Sequence, residues 1–130
     1  MKENQIKVLM VSPGEHPVIV SLENELEALQ KAVSIGADYT GLIELVGLEP
    51  GISILCNEEG KLIGLEPNRR FGQDILCGVF YVVGEDEEGN LASLSEAQME
   101  RFKAMFWEPD VIPCQEVERT IFAKVFPWEG

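Results

Sequence analysis

Asn68, Arg69 and Arg70 stand together in a chain that is otherwise poor in cations. Two guanidinium forks on one polar segment can grip a carboxylate or a phosphate bidentately, which an ammonium group cannot do. These three residues are the candidate site for a small anionic ligand, nucleotide-like in chemistry. The competing role is structural. Glu66 and Asp74 flank the segment, and ion pairs with them would tie it to its neighbours.

A second cluster, Glu85-Asp86-Glu87-Glu88-Gly89-Asn90, has the composition of a calcium loop but not its pattern. The ligand oxygens are not spaced as an EF-hand requires, and no bidentate glutamate closes the run. The segment reads as an acidic hairpin tip, with Glu85, Asp86, Glu87 and Glu88 as candidate contacts to a basic partner. His16 is the one histidine and lies between Pro13 and Pro17. No nucleophile elbow or cysteine-protease pattern accompanies it, so it reads as a solvent-exposed loop residue. Cys56, Cys77 and Cys114 are odd in number and form no CxxC pair, which argues against a disulfide framework and a zinc site. Cys56 and Cys77 lie in apolar runs and read as small buried hydrophobes. Gly47, Gly51 and Gly60 are irregularly spaced and lead into strands, unlike a phosphate loop. No catalytic residue, metal ligand or cofactor is expected. Acid–base chemistry would fall on carboxylates alone, which makes an enzyme the weakest reading.

The charge balance narrows the partners. Asp and Glu number 23 against 10 Lys and Arg, a formal net charge of -13. Such a field repels nucleic acid and anionic membranes and attracts basic protein surfaces, while also keeping a small protein dispersed. No direct nucleic-acid or membrane binding is expected. No apolar run reaches the ~20 residues that span a bilayer, and Ile6 to Val11 is too short for a signal sequence. Reduced, scattered cysteines fit a cytoplasmic protein.

The elements that must position these residues follow from hydrophobic period. At 130 residues the chain reads as a single domain over 1–130. Ile6 to Val11 and Pro17 to Val20 read as strands. Leu22, Leu26, Leu29 and Val33 share a helical face, with Ser21 or Asn24 as cap and Gly36 as stop. Thr40 to Leu48 and Ile52 to Asn57 read as strands around a Pro50-Gly51 turn. Leu62 to Leu65 reads as a return strand after the Glu58–Lys61 connection, and Glu66 to Gly72 as a polar loop. Asp74 to Gly84 reads as one buried central strand, with Gly78 marking a bulge or a close approach. Leu91 to Leu94 reads as a short pairing strand. Ser95 and Gln98 fit a capping box for a second helix, with Met99, Phe102 and Phe106 as its apolar face. The tail over 110–130 reads as extended, with Val117 to Phe126 as a strand packed on the sheet, on a partner or on a second copy in a homodimer. Trp107 and Trp128 read as core residues, with an exposed Trp128 as the alternative anchor.

One resemblance adds context. Cys56 to Leu62, Pro67-Asn68-Arg69, Asp74-Ile75, Gly78, Phe80 and Ser93-Leu94-Ser95 form a pattern similar to a family of small uncharacterised acidic proteins. That family is encoded by bacterial plasmids, integrative elements and phages, chiefly in Firmicutes. The resemblance spans roughly Pro17 to Pro109 and implies an accessory role on a mobile element, without assigning an activity.

The expected fold is α+β, a mostly antiparallel sheet of about five or six strands with two amphipathic helices on one face. The expected function is non-enzymatic binding of a basic host or nucleic-acid-handling protein through an acidic surface. The alternative is an anionic ligand held by Asn68 and Arg69.

Overall fold

The computed structural model describes residues 4–125, with side chains up to residue 121. Apolar alternation starts the fold. β1 (Gln5–Val11) turns at Pro13-Gly14 and returns as β2 (Val18–Glu23), with Leu9 opposite Ile19. After the short helix α1 (Leu26–Ala32) come β3 (Ile43–Glu49) and β4 (Ile52–Asn57), joined at Pro50-Gly51. A separate hairpin, β5 (Pro67–Phe71) and β6 (Asp74–Cys77), precedes β7 (Phe80–Glu85) and β8 (Leu91–Ala92). The helices α2 (Glu96–Met105) and α3 (Cys114–Val125) follow.

The fold is α+β with a mostly antiparallel six-stranded sheet, as expected. Its order is β2-β1-β7-β4-β3, and β8 pairs the far end of β7. β7 and β4 are central and carry side chains buried on both faces, which explains the apolar runs Phe80–Val83 and Ile54–Cys56 within them. The two early helices, however, do not share a face. Leu9, Val11, Ile54, Phe80 and Val82 pack under Met99, Phe102 and Phe106 of α2. Val8, Leu55, Tyr81 and Val83 point the other way, against Leu29 of α1 and Val33 just after it. Strand residues of adjacent number face opposite sides, so each helix covers one parity of the same strands.

Four local expectations are corrected. Leu22 belongs to β2, and α1 begins only after Glu25, whose side chain makes no cap bond. Asn24 instead reaches the Leu91 carbonyl at 3.4 Å. The segment after β4 coils through successive turns, with Ile63 N–H on Glu59 O and Leu65 N–H on Gly60 O, so Leu62 to Leu65 is no strand. Strand pairing falls instead on Pro67–Phe71, the segment read as a loop. The apolar run from Asp74 to Gly84 is broken at Gly78, whose φ of 84° turns the chain from the small hairpin into the main sheet.

The capping box on α2 is present: Ser95 Oγ accepts from Gln98 N–H at 3.1 Å and Gln98 Oε1 accepts from Ser95 N–H at 2.8 Å. Within the tail, Cys114–Val125 is helical rather than extended. Val117 and Ile121 lie four residues apart and share a helical face as well as a strand face, and Pro113 accepts the first helical bonds from Glu116 and Val117. Phe126 and Trp128 lie outside the described residues.

Candidate functional site

A bulge in β5 sets the fate of the Asn-Arg pair. The register against β6 shifts between Pro67 and Arg69, so Asn68 and Arg69 both turn inward rather than alternating. Asn68 is 0 % and Arg69 2 % exposed. Asn68 Nδ2 donates to Val11 O and to Gly78 O, both at 2.9 Å. Arg69 donates through Nε and Nη2 to Phe106 O at 3.1 and 2.8 Å, and through Nη2 to Glu15 O at 2.7 Å. Its Nη1 donates to Asn68 O and Oδ1. Phe106 is the C-cap of α2, so the guanidinium sits at the negative end of that helix. Burial lowers the Arg69 pKa, and the charges of Asp110 and Glu108 oppose that shift. The fork is satisfied by carbonyls, not by Glu66 or Asp74. Arg70 points outward and grips Glu116 of α3 bidentately, at 2.7 and 2.8 Å. This hydrogen bond holds the Glu116 carboxyl below its usual range and raises Arg70. The candidate anion site is thus occupied by the protein's own acceptors. The two arginines anchor α2 and α3.

The acidic tip lies where two segments meet. Register places the end of β2, the start of β1 and the end of β7 at one end of the sheet. Asp86 is used within the tip: its carboxylate accepts from Glu88 N–H and Asn90 N–H at 2.9 Å, which lowers its pKa, the Asn90 bond first. Glu85 accepts from Ser53 Oγ at 2.7 Å. Glu87 and Glu88 are exposed. Glu23 ends β2 at this same end of the sheet, and Asn24, between Glu23 and Glu25, bonds across to Leu91 O of β8. No Lys or Arg pairs with any of these carboxylates among the described residues. A hydrogen bond to Glu23 and the charge of Glu23 raise the Glu25 pKa above the ordinary value. A carboxyl raised on folding favours the folded state below its unfolded pKa, and that contribution is lost as pH rises through the folded value. Glu25→Gln is therefore expected to raise the melting temperature at neutral pH and leave it unchanged in acid. Thermal melts across that range check it; an equal shift at every pH would exclude carboxyl crowding as the cause.

A third place was not legible in the sequence. A cleft of about 220 Å³ opens between the β3–β4 edge, the turns after Asn57, the β5–β6 hairpin and α3. Val46, Cys56, Phe71, Leu76 and Ile121 supply apolar walls, and Glu44, Glu58 and Glu59 supply carboxylates. Lys61, its side chain 11 % exposed, ion-pairs with Asp74 and reaches Thr120 Oγ1 of α3 at 3.3 Å. Burial pushes the Cys77 thiol up to about 11, against the opposing charge of Lys61. At neutral pH it stays protonated, so Cys77 is no ready nucleophile. The parts of this cleft are remote in sequence, and the acidic run at Glu58-Glu59 is the one hint the sequence offers.

His16 is exposed, as expected, but it stacks on Trp107 at 3.9 Å and its Nδ1 lies 2.6 Å from Trp107 O. Trp107 is 40 % exposed and is not a core residue. Among the described residues no cluster of three or more His, Cys, Asp or Glu could hold a metal ion, and no helix is long and apolar enough to cross a membrane.

Residues 6–107 match a family model described as a domain of unknown function, DUF3846. No curated protein and no solved structure matches the chain.

Proposed function

This chain belongs to the DUF3846 family, a domain of unknown function, and from that premise we propose that it is a non-enzymatic binding protein whose acidic end meets a basic protein surface. The observation that carries this reading is the placement of Glu23 and the Glu85–Glu88 tip at one end of the sheet, with Glu25 and Glu27 following Asn24 where it bonds to β8, without a paired cation among the described residues. Uncompensated charge gathered on one end steers an oppositely charged partner and speeds its docking. The crowding that raises Glu25 would be relieved when cations arrive. The context suggested by the sequence pattern is an accessory protein of a bacterial mobile element, acting in the cytoplasm on a host or nucleic-acid-handling protein. An end that imitates the phosphates of DNA is one form of this. The alternative, an anionic ligand on Asn68 and Arg69, is weakened because the Arg69 donors already bond to protein oxygens.

Affinity capture from a bacterial lysate tests the proposal. The expected result is a basic protein retained at low salt and released at high salt. A variant carrying Glu85→Gln, Glu87→Gln and Glu88→Gln should lose it. Recovery of no partner at low salt, or of one indifferent to salt and to the substitutions, would overturn the reading.

A further inference from the structure

The cleft beneath α3 differs from the acidic end in being a concavity with an apolar floor. Its volume of about 220 Å³ exceeds the roughly 150 Å³ of a cavity that admits benzene. That scale suits a ligand of about ten non-hydrogen atoms. Phe71, Leu76 and Ile121 offer it an apolar bed.

Charge decides the class of ligand. Among the described residues, Glu44, Glu58 and Glu59 line the cleft together with Asp74, and Lys61 is the one cation in the lining. Lys61 is already held by Asp74 and Thr120. The cleft therefore presents surplus negative charge around an apolar bed, within a chain whose net charge of -13 concentrates cations nearby. An anion entering it would meet the carboxylates and find Lys61 engaged. We infer that this cleft binds a small organic cation, an amine or guanidine on an apolar body, with the body against Phe71, Leu76 and Ile121 and the charge toward Glu44 and Glu58. The wall given by Ile121 belongs to α3, beyond residues 6–107 that match the family. The site is thus completed by this chain's C-terminal helix.

The test uses the full chain, labelled for NMR, at low salt. Tyramine and agmatine are the cationic probes. Tyrosol is the neutral counterpart of tyramine and hydroxyphenylacetate the anionic one. The expected result is saturable shifts at Glu58, Leu62 and Ile121, with tyramine at least about ten-fold tighter than tyrosol, the effect of roughly one partly screened ion pair. Hydroxyphenylacetate should not bind. Glu44→Gln with Glu58→Gln should weaken tyramine by about ten-fold and leave tyrosol unchanged. Three outcomes each overturn the inference: neither cation binds saturably, tyramine and tyrosol bind alike, or the shifts gather at Glu85–Glu88 instead. The last would be diffuse counter-ion binding to the acidic end. Because the readout is local to the cleft, failure here leaves the protein-binding proposal to its own test.

Discussion

Arg69→Met is expected to destabilise the fold by about 3 kcal/mol, measured as a shift in the midpoint of chemical denaturation. Methionine keeps much of the volume, so packing is not the main loss. The loss lies in the carbonyls of Phe106 and Glu15 and the Oδ1 of Asn68, which all give up a donor. An acceptor left buried without a partner costs about 1–3 kcal/mol. Relief from burying a cation returns part of this, since desolvating a charge is itself costly. The net remains a loss because several acceptors share the one guanidinium. Arg69→Lys separates charge from geometry. An ammonium keeps the charge at the end of α2 but cannot reach Phe106 O, Glu15 O and Asn68 Oδ1 together. Lysine is therefore expected to restore less than half of the loss. Full restoration would show that charge alone is needed and that the fork is incidental.

Gly78→Ala should cost about 2–4 kcal/mol by the same measurement, from two separable sources. The φ of 84° lies in the left-handed region, where a side chain is strained. A Cβ there would also meet Leu65 Cδ1 at 2.7 Å and Leu65 Cβ at 3.3 Å. The backbone cannot drift to relieve this, because Gly78 N–H donates to Glu66 O at 2.7 Å and Gly78 O accepts from Asn68. Adding Leu65→Ala removes the 2.7 Å contact with Cδ1, leaving the milder one with Cβ, but does not remove the strain. The double variant is therefore expected to lose less than the sum of the single losses. Strict additivity would assign the whole effect to the backbone.

Where a residue's role was set by its near neighbours in sequence, it could be read in advance. The Ser95–Gln98 box is one such case, since both partners lie within one turn. The buried interior of β7 is another, because its apolar content admits no solvent face. Arg69 was not readable in this way. Beyond Asn68, its partners lie 37 and 54 positions away, and the bulge that turns Asn68 and Arg69 inward erases the alternation that would have marked a strand. The polar letters of Asn68 to Arg70 therefore suggested a loop. The placement of α1 and α2 on opposite faces was hidden too, because a single apolar stripe does not say which parity of strand residues it covers. In α3, Val117 and Ile121 satisfy both a period of two and a step of four, so the period alone could not choose.

The Asn68–Arg69 junction also bears on the order in which the molecule assembles. It gathers Val11, Glu15, Gly78 and Phe106 onto two adjacent residues. Closing such widely separated contacts costs chain entropy before they return any energy, so the junction is expected to form late, after the sheet has collapsed. Interactions absent from the rate-limiting barrier act on the reverse step. The buried arginine is therefore expected to act as a latch, with Arg69→Met speeding unfolding more than it slows folding.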